Sequence, residues 1–235
     1  MVLLTLAGPA RAQTPPSHSL PSEEAFHQAL EQARPGAHRA GLRLRSDGLW
    51  LALLKARTPL LAARHGADCH IGYTRYTPGA AMGWLFPPGP ASTRALWMAG
   101  LVRHEIAHCL LQGETVAAAA SGDTAGHPAA SGTAALAHAE AFQRAQRAEA
   151  LADLAFALHV DSEPGGDTLV EQLARLRADR AHADPLHDAS AALRCYLHHP
   201  QRRAEADPGL PTLLLWGARC LSAAPRRDAG PEAGP

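Results

Sequence analysis

The stretch Arg103-His104-Glu105-Ile106-Ala107-His108-Cys109 places two imidazoles four residues apart with a carboxylate between them, the pattern H-E-x-x-H. On a helix, residues four apart lie one above the other, so His104 and His108 can each turn a ring nitrogen to a single ion. Glu105 falls beside that face, where a carboxylate can take a proton from a metal-activated water without occupying a ligand position. The chain has 14 histidines, so the pattern alone decides little and its surroundings must carry the interpretation.

A catalytic zinc keeps three protein ligands and one open position, which leaves one ligand to find. Glu114 stands where an extended H-E-x-x-H-x-x-G-x-x-H pattern would end. Position 111, however, is leucine instead of the glycine that would turn the chain back, and position 114 is not histidine. Glu149 fits better. It opens Glu149-Ala150-Leu151-Ala152-Asp153 on a later helical segment, where alanines permit close approach. Asp153, one turn on, is placed to accept a hydrogen bond from the second nitrogen of a ligand histidine and so fix its tautomer.

With H-E-x-x-H followed on a second helix by E-x-x-x-D, the chain resembles the gluzincin metallopeptidases. The E-x-x-A-D form is similar to that of the HtpX and CAAX-processing type, without their membrane helices. The resemblance implies a Zn2+ ion held by His104, His108 and Glu149, with Glu105 as general base and then acid and Asp153 behind a ligand. It also implies a downstream donor to the oxyanion. His187, three residues after Asp184, is the first choice, and His199, before Pro200, Arg202 and Arg203, is a close second. The implied activity is hydrolysis of a peptide or protein substrate. The alternative is a zinc-binding interaction or assembly module of the same fold that does not catalyse.

These groups need elements to hold them. Ser92 or Thr93 caps a helix that carries Leu96, Trp97, Leu101, Val102, Ile106, Leu110 and Leu111, apolar nearly all round and therefore buried, with Gly113 as its stop. A second long helix is expected from about Leu136 to Val160. Between them, 116–135 is almost wholly Ala, Gly, Ser and Thr, and reads as a mobile loop at the rim of the site. Upstream, Ser22 caps a helix that runs to Arg34 before Pro35-Gly36, and a second helix starts at Ser46 or Asp47 with Leu49, Trp50, Leu53 and Leu54 inward. A third is expected to open at Thr58-Pro59 and end at His65-Gly66. Cys69 to Thr74 and Ala81 to Phe86 read as two antiparallel strands, with 82–86 as the edge offered to an extended peptide. Downstream helices are expected over 168–180, after an Asp188 cap, and over 213–221. The fold class is α+β, mostly helical, with a small antiparallel sheet before the H-E-x-x-H helix; the resemblance makes it zincin-like.

Acidic and basic residues balance at 22 each, which removes the electrostatic case for a nucleic-acid partner. Residues 1–12 end in Ala10-x-Ala12 and resemble a signal peptide, 13–21 a linker, 22–223 the domain, and 224–235 a disordered tail. No run reaches the ~18 apolar residues of a membrane span, so the mature chain is expected to lack an integral membrane segment and to be periplasmic or secreted. In such a compartment the four cysteines should pair locally, Cys69 with Cys109 and Cys195 with Cys220.

Overall fold

The computed structural model describes residues 21–49, 53, 58–75, 89–120, 131–200, 202 and 210–221. The chain begins with helix α1 (Glu23–Arg39), whose cap Ser22 accepts a hydrogen bond from the Ala25 amide at 3.1 Å. Pro35 and Gly36 do not end it. Phe26, Ala29, Leu30 and Ala33 set a buried stripe that Ala37 continues beyond the proline. That packing outweighs the ~3 kcal/mol that an interior proline costs a helix.

Strand β1 (Arg43–Arg45) follows, then β2 (Leu60–His65) and β3 (Asp68–Tyr73). They form a mixed sheet in the order β1-β3-β2, with β1 parallel to β3 and β2 antiparallel. This corrects two expectations. The sheet is not purely antiparallel, because the three residues of β1 dock on β3 with Leu44 opposite Cys69. The segment after Pro59 is a strand, not a helix. Its pairing with β3 closes through a two-residue turn in which Gly66 adopts φ 61°, so the glycine read as a helix stop serves a hairpin. The helix expected from Ser46 or Asp47 does not begin there, because residues 46–49 are not helical and Gly48 adopts the left-handed φ 83°; Trp50 and Leu54 lie outside the described residues, which leaves Leu49 and Leu53 of its inward set. Both are buried, and the Leu53 amide donates to the Leu49 carbonyl at 2.9 Å. The strand expected over 82–86, the signal-like residues 1–12 and the tail 224–235 lie outside the described residues.

Two 30-residue helices dominate the rest, α2 (Ala91–Ala120) and α3 (Ser131–Val160). Both extend into the segment expected to be a loop; α2 passes Gly113, and residues 121–130 are outside the described set. Alanine runs propagate a helix once buried packing has nucleated it, which is why the boundaries overshoot. The two helices approach closely at Gly100, where a Cβ would come within 2.6 Å of the Phe156 ring. Trp97 meets the same ring edge-on at 4.8 Å. Helices α4 (Gly166–Arg180), α5 (Ser190–His198) and α6 (Leu210–Leu221) complete the fold, with Trp216 and Tyr196 fully buried against each other. Asp188 holds the start of α5 by accepting from the Ser190 amide at 3.2 Å and its hydroxyl at 2.7 Å.

Both expected disulfides are present. Cys69–Cys109 ties β3 to α2, and Cys195–Cys220 ties α5 to α6. In the chain-entropy view, loops of 40 and 25 residues stabilise the fold by about 4 and about 3.5 kcal/mol. Bridges of this kind fit a compartment outside the reducing cytosol. No described helix is long and apolar enough to cross a membrane.

Candidate metal centre

Helix α2 presents His104, Glu105 and His108, and α3 presents Glu149 and Asp153 opposite them. One nitrogen of each histidine and one oxygen of Glu149 all lie within 4.8 Å of one another. His108 Nε2 is 3.4 Å from Glu149 Oε1, and His104 Nε2 is 3.7 Å from Oε2. The two Nε2 atoms are 3.0 Å apart. Elements separated by some forty residues of sequence therefore turn three donor atoms toward one point. Glu114 lies on α2 beyond the described side chains.

Behind this group is a second layer of charge. His104 Nδ1 lies 2.9 Å from Asp153 Oδ1, although the ring N–H aims off the line of a well-formed hydrogen bond. The contact assigns Nδ1 to Asp153 and leaves Nε2 facing Glu149. Asp153 is in turn gripped by Arg177, whose Nε donates to Oδ2 at 2.7 Å and Nη2 to Oδ1 at 2.8 Å. Both side chains are buried. Burial pushes the Asp153 carboxyl up, but the charge of Arg177, with the contacts of both partners, holds it well below the usual carboxylate range.

Arg177 escaped the sequence reading. The available signal was positional: on α4 it continues the buried stripe of Leu169, Leu173 and Ala174. An arginine on such a stripe requires a buried carboxylate.

The remaining expected residues divide. The 3₁₀ turn Pro185–His187 packs on α3, where the Gln146 amide donates to the Pro185 carbonyl at 2.9 Å. His187 thereby joins the group, with Nε2 3.7 Å from Glu149 Oε2 and Nδ1 2.8 Å from Asp184 Oδ1. His199 packs instead on Trp216, ring centroids 4.8 Å apart, at the end of α5. Glu105 keeps some contact with solvent but is closely surrounded by protein. Burial raises its pKa, against the charges of His104 and His108 and an amide of Ala62 on β2.

Glu149 is the electrostatic centre. Burial alone would raise its pKa, yet the hydrogen bond of His108 and the charges of His104, His108 and His187 take it down to about 2. Its Oε2 is buried and accepts no hydrogen bond from any described residue. An orphaned buried carboxylate oxygen is costly. Two imidazole nitrogens already converge beside it. Two nitrogens and one carboxylate oxygen are the donor set of a three-ligand zinc site, and the residues fit such an ion.

Fold and site together define an α+β domain with a His-His-Glu group on two crossed helices and a buried Asp-Arg pair behind it. Comparison with family models, with curated proteins and with solved structures found no match to this chain.

Proposed function

We propose that this chain is a zinc-dependent metallopeptidase of gluzincin type with a zincin-like fold, working in the periplasm or outside the cell. The observation that carries the proposal is the approach of Glu149 to both His104 and His108, with Glu105 left out of the donor set. Nothing in a helical core explains that arrangement as well as a shared cation. When bound, zinc would supply the Lewis acidity that polarises a scissile carbonyl and acidifies a water.

The chain's own residues divide the remaining work. Glu105 acts as general base and returns the proton to the leaving amine, and its burial-raised pKa suits both roles. Asp153, locked by Arg177, keeps His104 in the tautomer that presents Nε2. His187, oriented by Asp184, approaches Glu149 Oε2 at 3.7 Å and is the preferred donor to a developing oxyanion. His199 is the lesser choice because its described ring contact is with Trp216.

Zinc content and proteolysis test the proposal together. Protein purified without added metal is expected to hold about one zinc ion per chain or to bind one on titration. A casein or mixed-peptide assay should then show hydrolysis that Glu105→Gln reduces at least ~10³-fold while zinc stays bound. Zinc binding with function unchanged in Glu105→Gln would instead support a non-catalytic zinc module. No zinc binding at all would remove both readings.

A further inference from the structure

The face of α2 turned away from the histidines opens on a second feature. A cavity of about 600 Å³ lies between α1, α2, α3 and α6. It falls within the ~300–1,000 Å³ typical of small-molecule sites. Arg103 and Ala107, each one residue before a histidine of the metal group, line it. The walls are otherwise apolar over Ile106, Leu110 and Leu213, and the polar groups include Arg39, Arg103 and His159. None of the described lining residues is acidic.

The cations are placed deliberately against the cavity. Arg103 Nη2 donates to the Gln32 carbonyl of α1 at 3.4 Å, and its Nη1 lies over Gly36, where a Cβ would come within 3.1 Å. A side chain larger than hydrogen at position 36 would crowd the guanidinium, so the Pro35-Gly36 pair that fails to end α1 seats this arginine. Across the cavity His159 is mostly buried. Burial, reinforced by the Arg103 charge, lowers its pKa to about 4, so it is neutral at physiological pH. A neutral imidazole donates one hydrogen bond and accepts another. Arginines beside apolar walls match a ligand with a carboxylate at one end and an apolar body at the other.

We infer that this cavity is a binding site for an amphipathic monocarboxylate, its carboxylate on Arg103 and Arg39 and its apolar part along Ile106, Leu110 and Leu213. A fatty acid and the free C-terminus of a short apolar peptide share this chemistry. The inference does not depend on the metal centre being catalytic, since the site uses other residues and the opposite face of α2.

Calorimetric titration of the full oxidised chain with octanoate, N-acetyl-Leu-Leu, octanol and inorganic phosphate tests it. At least one carboxylate is expected to saturate a single site, and the tighter of the two identifies the tail. Octanol lacks the charge and phosphate lacks the tail, so each should bind about tenfold to a hundredfold more weakly. Arg103→Gln should weaken the carboxylate by a similar factor. Arg39→Gln, at an exposed position where folding is not at stake, should weaken it by about threefold or more. Retained zinc binding and an unchanged melting temperature show that a variant is folded. Octanol or phosphate binding as tightly as the carboxylates overturns the inference. So does failure of both carboxylates to saturate at millimolar concentration, or affinity unchanged in Arg39→Gln.

Discussion

Helices α2 and α3 carry charge on two opposite faces and treat it in opposite ways. On the metal face, Asp153 is enclosed by Arg177 and His104, and Glu149 by His104, His108 and His187, each within 4 Å. On the cavity face, Arg103 and His159 meet apolar walls, and His159 responds by giving up its proton. The comparison teaches how a small core tolerates ionisable groups. Charge is kept where opposite charge is fixed within a few ångströms, as at Asp153 and Glu149, and is given up at His159, where burial and the Arg103 charge both disfavour it.

Removing Arg177 should break the comparison most severely. Arg177→Met leaves Asp153 charged and buried with only His104 beside it, and is expected to cost about 3–5 kcal/mol in urea denaturation. Arg103→Met removes an arginine of the same helix pair from the cavity face, and is expected to cost no more than ~1 kcal/mol. Equal losses would show that the two faces do not differ as described. Asp153→Asn in the Arg177→Met background should recover part of the stability, because the buried charge is then gone.

Next in size is the effect of zinc. An ion that binds only the folded chain adds about 4 kcal/mol at a thousandfold excess over Kd. Differential scanning fluorimetry with and without zinc should show a matching rise in melting temperature for the native chain. His108→Ala and Glu149→Ala should abolish the rise, and His159→Ala should leave it intact. A rise that survives Glu149→Ala would exclude that residue as a ligand.

The smallest effect concerns pH and sharpens the cavity side. His159 titrates near 4 in the folded chain against an ordinary value of 6.5. Between those values the unfolded chain binds one more proton, so stability falls as pH drops through that window and is constant above it. Arg103 and Arg39 line the cavity with this histidine, and Glu163, just past the end of α3, lines a neighbouring groove with it. The loss should approach about 2–3 kcal/mol at pH 4. His159→Gln should flatten that limb of a pH–stability curve by the same amount; an unchanged curve would mean that His159 is not held neutral.

Much of the site is legible in the sequence because it is written in helical periodicity. His104 and His108 share a face by spacing alone, Glu149 and Asp153 do so again, and the resemblance to the gluzincins joined the two pairs. The long buried helix around the histidines and the local cysteine pairs were legible for the same reason, since local spacing and redox chemistry do not depend on the rest of the fold. Boundaries were read less well. Pro35-Gly36 and Gly113 look like stops, yet packing of Ala37 and alanine-rich extension carry both helices past them. Residues 60–65 have no strong preference of their own, and pairing with β3 makes them a strand.

Sequence by itself determined which residue types stand one helical turn apart, because that relation is built into 3.6 residues per turn. Only the tertiary structure decided which distant groups meet. It set Arg177 against Asp153, brought His187 to Glu149 while His199 went to Trp216, and placed Arg103 over a cavity. Those relations depend on the crossing of helices far apart in the chain, and no local pattern encodes the angle or the distance at which two helices cross.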